Sequence, residues 1–255
     1  MSVPSVASRV APLVADPARS VLLFDFDGTL APVVENPEEA RPAPGVVERL
    51  DVLASRYRTV AVVSGRPVGF LSAHLPSSVL LSGLYGLEWS VDGVHRTRPG
   101  IDAWRPAVSA AASGATSAGL EGVLVEAKGL SVTLHYRSRP EAASVVEELS
   151  ATLAAQTDLV ARPAKMSVEL HPPVDADKGK VVDELASGAA GVLYVGDDLG
   201  DLPAFAVLDI LRGQGLLTLT VAVGSPELPD AVRAAAELVV PGTDGVLGLL
   251  DDLAR

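Results

Sequence analysis

The chain of 255 residues contains no cysteine. That absence excludes disulfides, thiolate catalysis, zinc ribbons and iron–sulfur clusters together. Long apolar runs are missing too: Val21–Phe24 and Val60–Val63 fall far below the ~20 residues of a membrane-spanning helix. Near the N-terminus Pro4, Arg9, Pro12, Asp16 and Pro17 interrupt the small residues, so no export signal is read there and a cytoplasmic location is expected. Basic charge is short, 20 residues against 32 acids, for a formal net charge of −12. Such an excess argues against binding along nucleic acid or an anionic membrane surface. Lysine is scarcer still. Sixteen of the basic residues are arginine, and the four lysines, Lys128, Lys165, Lys178 and Lys180, all fall between residues 128 and 180. The two types serve alike on a solvated surface, but not where a compact ammonium must point at one oxygen. A chance cluster, or a coding bias toward arginine, is the plain alternative.

What is present describes a globular protein: 48% hydrophobic and 20% charged residues, with enough length for one large domain or a domain carrying an insertion. The first twenty residues read as a helix or an irregular lead-in. Val21 to Phe26 is a buried strand ending in acid, and a proline-rich loop follows it. Gly45 to Arg56 has helical spacing, Thr59 to Val63 is a second buried strand, and a short helix leads to a strand at Val79 to Leu81. This β-α-β-α-β order predicts an α/β fold, a Rossmann-like doubly wound parallel sheet.

The middle of the chain changes character. Trp89 to Arg98 reads as a hairpin around Asp92-Gly93. From about Arg105 to His171 come an alanine-rich helix, strands at Val123–Ala127 and Leu130–Tyr136, a helix at Pro140–Gln156 and a strand at Ser167–Leu170. The parallel pattern then resumes with a helix from Lys178 to Ala186, a strand at Val192–Val195, a helix around Leu202–Leu208 and strands at Thr218–Val223 and Leu238–Val240. A helix from Asp244 to Leu253 closes the chain. The expected division is a core of residues 1–104 and 176–255 with an inserted α+β unit, residues 105–175.

Four places carry chemistry. In Asp25-Phe26-Asp27-Gly28-Thr29-Leu30, two carboxylates one residue apart follow a buried strand, within reach of one space beyond its carboxyl end. Two hard oxygen donors held together suit Mg2+; a solvated acidic strand end is the ordinary alternative. Ser64-Gly65-Arg66 repeats the geometry with a hydroxyl, a permissive glycine and free amides, which makes either an anion site or a plain helix N-cap. Arg66 reaches ligand or solvent. Lys178 starts a helix after Asp177, a plausible N-cap, where a cation opposes the helix dipole unless something anionic compensates. Lys180 reads as its solvated neighbour. Asp197, Asp198 and Asp201 put three acids at another strand end, where they would repel one another without a cation between them. Aligned on one sheet edge, these residues supply a carboxylate nucleophile, a second carboxylate, a hydroxyl, an ammonium and a metal site, a set suited to phosphoryl transfer through an aspartyl phosphate. There is no G-x-x-x-x-G-K-[ST] loop to support nucleotide hydrolysis of the P-loop type.

In order and spacing these residues resemble the four motifs of the haloacid dehalogenase superfamily of phosphohydrolases. The middle of the chain narrows the likeness. Gly83-Leu84-Tyr85-Gly86-Leu87-Glu88, Lys128 to Arg137, Lys165-Met166-Ser167-Val168-Glu169-Leu170, Pro173 to Gly179 and Pro241 to Val246 resemble trehalose-6-phosphate phosphatases, and nearly all of the chain beyond residue 20 is covered. The resemblance implies that Asp25 attacks phosphorus while Asp27 protonates the leaving sugar and then activates water. It implies Mg2+ between the Asp25 carboxylate, the Asp27 carbonyl and Asp197, with Asp198 or Asp201 completing or orienting the site. Ser64, Gly65 and Lys178 would hold the phosphoryl oxygens, and the inserted unit would close over the sugar. Lys128, Lys165 and Glu169 would contact sugar hydroxyls, with Glu88 and Arg66 as further candidates; exposed charges on a strand face are the alternative for Lys128 and Glu169. At position 171 the family commonly has arginine or lysine where this chain has His171, which puts a cationic role there in doubt. The implied substrate is trehalose 6-phosphate, acted on by a monomer. A phosphatase for sucrose or glucosylglycerol phosphate is the nearest alternative, because the phosphoryl-transfer residues see only phosphate and metal. A non-catalytic sugar-phosphate sensor would carry a damaged site, whereas Asp25, Asp27, Ser64, Lys178 and Asp197 are all present.

Overall fold

Short runs of branched apolar residues become the strands at the centre of the molecule. The computed structural model describes residues 5–255. In chain order the strands are β1 (Ser20–Phe24), β2 (Thr59–Val63), β3 (Leu80–Gly83), β4 (Glu88–Val91), β5 (Val94–Thr97), β6 (Leu124–Ala127), β7 (Val132–His135), β8 (Val160–Ala164), β9 (Ser167–His171), β10 (Gly191–Gly196), β11 (Leu217–Gly224) and β12 (Leu238–Pro241). The helices are α1 (Val6–Ala15), α2 (Val46–Ala54), α3 (Val68–Ser72), α4 (Arg105–Ser117), α5 (Ala143–Thr157), α6 (Lys178–Ala186), α7 (Leu202–Gly213), α8 (Asp230–Ala235) and α9 (Gly242–Leu253). The chain divides into two compact units, Met1–Arg96 with Ala176–Arg255, and Thr97–Asp175.

The first unit is built on a sheet of order β12-β11-β10-β1-β2-β3-β4-β5, parallel from β12 to β3 and antiparallel between β3 and β4. Side-chain alternation along the central strands divides the core in two. Leu22, Phe24, Val60, Val62, Leu193 and Val195 face α1, α2, α3 and α9, whereas Val21, Leu23, Ala61, Val63, Val192 and Tyr194 face α6, α7 and α8. Each fully buried leucine, valine or phenylalanine contributes about 1.5–3 kcal/mol. Burial on both faces holds the carboxyl ends of β1, β2 and β10 in fixed register, with Phe24 beside Val195 and Val62.

The second unit is a sheet of order β6-β7-β9-β8, antiparallel throughout. Val132, Leu134, Val168 and Leu170 pack on α4 and α5. The alternate positions Ser131, Thr133, His135, Ser167, Glu169 and His171 form its polar face, the pattern of an antiparallel sheet with helices on one side only. β8 is the strand that sequence reading does not find. Its Val-Ala-Arg-Pro-Ala run contains Pro163, which cannot donate to a ladder and is tolerated here because β8 is an edge strand. α8 is likewise unforeseen, being six residues long with one buried apolar side chain, Val232, to announce it. α7 runs to Gly213, beyond the expected Leu208. None of the described helices is long and apolar enough to cross a membrane.

Candidate active site

β1 delivers Asp25 one residue past its last paired position. The Asp25 amide still donates to the Val195 carbonyl at 2.8 Å, so the ladder fixes this residue before the chain turns away. The turn is closed by the amides of Leu30 and Ala31 on the Phe26 carbonyl and by the Gly28 amide on the Ala31 carbonyl. Gly28 has φ +76°, and a β-carbon there would lie 2.2 Å from an Asp197 carboxylate oxygen. Glycine is therefore required twice over, for the left-handed backbone and for the approach of Asp197.

The reversal at Phe26 sends the two motif carboxylates to different neighbours. Asp25 is buried at 4% exposure, whereas the Asp27 side chain keeps 37%. Asp27 accepts a two-pronged bond from Arg66, Nε to Oδ2 and Nη2 to Oδ1, both 2.7 Å. Arg66 is itself held by Nη1 on the Pro37 carbonyl at 2.8 Å and by the Phe70 ring, 4.6 Å below its guanidinium carbon. Such a fork fixes both position and plane of the carboxylate it holds. Arg66 thus stands against the second carboxylate of the motif, a role that reading residue types at Ser64-Gly65-Arg66 does not find.

Ser64 and Gly65 leave the end of β2, the strand next to β1. The Ser64 hydroxyl accepts from the Arg66 amide at 3.1 Å. The Ser64 and Arg66 carbonyls accept the amides of Tyr85 and Leu84, so the turn after β3 is tied onto this loop. Leu84 and Tyr85 hold left-handed φ values of 49° and 57°. Two such residues in a row cost about 1–3 kcal/mol each and persist only where surrounding bonds impose them. A β-carbon on Gly65 would lie 2.7 Å from the Tyr85 hydroxyl, so this glycine makes room for the ring. Glu88 accepts from the Val68 amide at 2.9 Å, which places its carboxylate at the start of α3.

The N-terminus of α6 carries the ammonium. Asp177 caps the helix by accepting from the Lys180 amide at 2.9 Å, and Lys180 itself is exposed. Lys178 is 3% exposed, with Nζ 2.8 Å from Asp25 Oδ1 and 2.7 Å from Asp201 Oδ1. Asp201 is fully buried and takes four donors. Oδ2 accepts the amides of Asp197 and Asp198 at 2.8 and 3.0 Å, and Oδ1 accepts Lys178 and the Tyr194 hydroxyl, each at 2.7 Å. A β-carbon on Gly196 would sit 2.2 Å from the Asp201 carboxyl carbon, so here too a glycine makes room for an acid. Asp198 Oδ1 accepts from the Gly200 amide at 2.8 Å, turning the chain into α7.

Electrostatics follow from this crowding. Burial, joined by Asp201, Asp198 and Asp197, raises the Asp25 pKa well above the usual carboxylate range, against the opposing pull of Lys178. Burial alone would lower Lys178, but Asp201 and Asp25 outweigh it and hold this ammonium protonated. Four acids, Asp25, Asp197, Asp198 and Asp201, crowd around this one ammonium. Among the described residues, Asp25, Asp197 and Asp201 each bring one carboxylate oxygen within 4.8 Å of the others. The Asp25 and Asp197 oxygens, the latter pressed against a glycine with no β-carbon, fit a divalent cation, whereas Asp201 already accepts four donors.

Lys128 and Glu169 belong to the polar face of the second unit, with Lys128 Nζ 3.7 Å from both Glu169 Oε1 and Glu126 Oε2. Ser131 donates to Glu169 at 2.7 Å and His135 Nε2 lies 2.8 Å from Glu126. Lys165 stands elsewhere on this sheet. It occupies the β8–β9 turn, whereas Lys128 follows β6 at the opposite end of the sheet. His171 is buried beside Arg162 with its pKa pushed down by burial first and that cation second, so it stands there as a neutral ring at neutral pH. Glu126 and Tyr194 are the polar participants that sequence reading passes over. Glu126 had a usable signal, a charge two residues before Lys128 at the end of β6; Tyr194 had none, since a tyrosine in an apolar strand reads as core.

A parallel sheet presenting acids, a hydroxyl loop and a lysine at its carboxyl edge defines the haloacid dehalogenase-like class of fold. A haloacid dehalogenase-like hydrolase from Bacteroides thetaiotaomicron superposes with TM-score 0.62 at 15% identity over 91% of this chain and 98% of that one. The trehalose-phosphatase family model matches residues 23–231, and the chain belongs to that family. It is 36% identical over 202 residues to the trehalose-phosphate phosphatase of Mycobacterium ulcerans (strain Agy99), covering 73% of this chain and 51% of that protein. The C-terminal domain of the C. albicans trehalose-6-phosphate phosphatase superposes with TM-score 0.76 at 26% identity, covering 95% of this chain and 96% of that one. The chain spans about half the length of the mycobacterial relatives it matches.

Proposed function

We propose that the protein is a Mg2+-dependent phosphatase that hydrolyses trehalose 6-phosphate to trehalose and phosphate through an aspartyl phosphate. The observation that carries this reading is the buried Asp25 carboxylate 2.8 Å from Lys178 at the end of the central strand, in a chain of the trehalose-phosphatase family. Asp25 attacks phosphorus as the bond to the sugar oxygen breaks, and Asp27 gives that oxygen its proton. Asp27 then takes a proton from the water that attacks the aspartyl phosphate, which frees inorganic phosphate and restores Asp25. Lys178 and the Ser64–Gly65 loop bind the phosphoryl oxygens. Asp25 and Asp197 would hold the metal, which would supply positive charge to the transferring phosphoryl group. Arg66 orients Asp27, and Lys128 and Glu169 recognise sugar hydroxyls, where a charge-assisted bond discriminates well.

The test is phosphate release from trehalose 6-phosphate, sucrose 6-phosphate and hexose phosphates with Mg2+, before and after chelation. Trehalose 6-phosphate is expected to be the best substrate, and chelation to abolish turnover. Asp25→Asn is expected to lose all measurable turnover while remaining folded. Substantial turnover in that variant would sink the aspartyl-phosphate route, and preference for another sugar would redirect the substrate assignment.

A further inference from the structure

Tyr194 is the only side chain with a polar group on β10, a strand otherwise made of glycine, valine and leucine. It is fully buried, and its ring packs edge-on against Phe205 at 5.9 Å and 80°. No step of the reaction above uses it. A buried tyrosine needs a partner for its hydroxyl, and here the partner is Asp201 Oδ1 at 2.7 Å, the oxygen that also holds Lys178. The phenol is the donor in this bond, because a carboxylate oxygen can only accept.

An ionised carboxylate offers about four acceptor positions. Two amides, the ammonium and the phenol account for all of them on Asp201. A metal ion would have to displace one of these donors to bind it. We propose that Tyr194 is a positioning residue for the phosphatase reaction: its hydroxyl fills the last acceptor position of Asp201, which reserves that acid for Lys178 and leaves the metal to Asp25 and Asp197. The geometry also sets where the ammonium lies. Lys178 is shared between Asp201 Oδ1 and Asp25 Oδ1 at 2.7 and 2.8 Å. With the phenol withdrawn, Asp201 Oδ1 has one donor fewer and draws the ammonium toward itself, away from Asp25 and the phosphoryl group. Because the ring already fits its slot against Phe205, Tyr194→Phe removes this one bond and little else.

The inference rests on the phosphatase reading, and two measurements separate their fates. For Tyr194→Phe, kcat on the best sugar phosphate is expected to fall about tenfold, the scale of one hydrogen bond to a charged group. KM and the calorimetric Kd for Mg2+ are expected to stay within about twofold. A kcat within about twofold of the parent, or a loss carried mainly by KM, overturns the positioning role. In the second measurement Mg2+ is titrated into metal-free Asp201→Asn and Asp197→Asn proteins. Asp197→Asn is expected to weaken binding about tenfold or more, the scale of losing a metal ligand, and Asp201→Asn about threefold or less. Equal weakening in the two variants makes Asp201 a metal ligand and overturns the proposal. This titration reads no activity, so it decides the assignment of Asp201 even if the parent protein releases no phosphate, an outcome that would remove the phosphatase reading alone.

Discussion

Asp25 and Asp27 stand two positions apart, yet burial gives them opposite characters. Asp25 lies among other acids with its pKa raised, whereas Asp27 is half-exposed and pinned by the Arg66 fork. A carboxyl group whose folded pKa lies above its unfolded value adds stability only at low pH, and that contribution is lost as pH rises through the folded pKa. Metal-free Asp25→Asn is therefore expected to melt above the parent at neutral pH. The difference shrinks as pH falls below the ordinary aspartate range, where Asp25 is protonated in both states. A thermal melt of both proteins at two pH values measures it, and equal melting temperatures at neutral pH would contradict it. At Arg66 the fork matters more than the charge. Arg66→Lys keeps the cation but loses the paired bonds to Asp27, so kcat is expected to fall about 10–100-fold in steady-state assays, a partial loss of the roughly 100–10,000-fold that general acid–base catalysis contributes.

At the scale of elements, strand ends and helix starts do the placing. The loop after β1 depends on Gly28, whose left-handed backbone and contact with Asp197 exclude any side chain. Gly28→Ala is expected to weaken Mg2+ binding about tenfold or more in calorimetry and to destabilise the fold by more than ~1 kcal/mol. Glu88 has a different place. Its carboxylate receives the Val68 amide at the start of α3, so Glu88→Ala is expected to cost about 1 kcal/mol of stability, as loss of a helix cap does. The same variant is expected to keep the parent's ranking of sugar phosphates, and a changed ranking in the substrate panel would return Glu88 to the sugar. β8 shows the limit of reading elements from composition: Arg162 and Pro163 suppress the strand signal, and an edge position next to β9 supplies the structure nonetheless.

For the whole molecule, a net charge of −12 confronts a proposed substrate that is itself a dianion. Attraction must then be local, and the clustered lysines show how it is divided. Lys178 stands in the first compact unit beside Asp25, and Lys128 stands in the second beside Glu169. Lys178→Ala is expected to depress turnover of every phosphate ester in the panel, about 100-fold or more for loss of a preorganised cation. Lys128→Ala is expected to act mainly on the ratio of kcat/KM between sugars, by about 10-fold or more. Parallel losses across the panel would contradict this division. Lys180 is exposed, and Lys165 sits at the far end of its sheet from Lys128.

By itself the sequence determined the buried parallel strands, because the continuous apolar runs that make Thr59–Val63 or Gly191–Gly196 a strand are local properties of neighbouring residues. It likewise determined which residue types end those strands: Asp25, Ser64 and Asp197 are each legible from position and spacing, as is Lys178 at the start of α6. The tertiary structure alone decided how those groups are shared. That Asp201 serves Lys178 and Tyr194, and that Arg66 holds Asp27, are bonds between residues 23, 7 and 39 positions apart. Such pairings depend on the register of parallel strands and on glycines that let carboxylates approach the backbone. No local pattern encodes them, because the energy that selects among several acids for one ammonium arises only when burial brings them together.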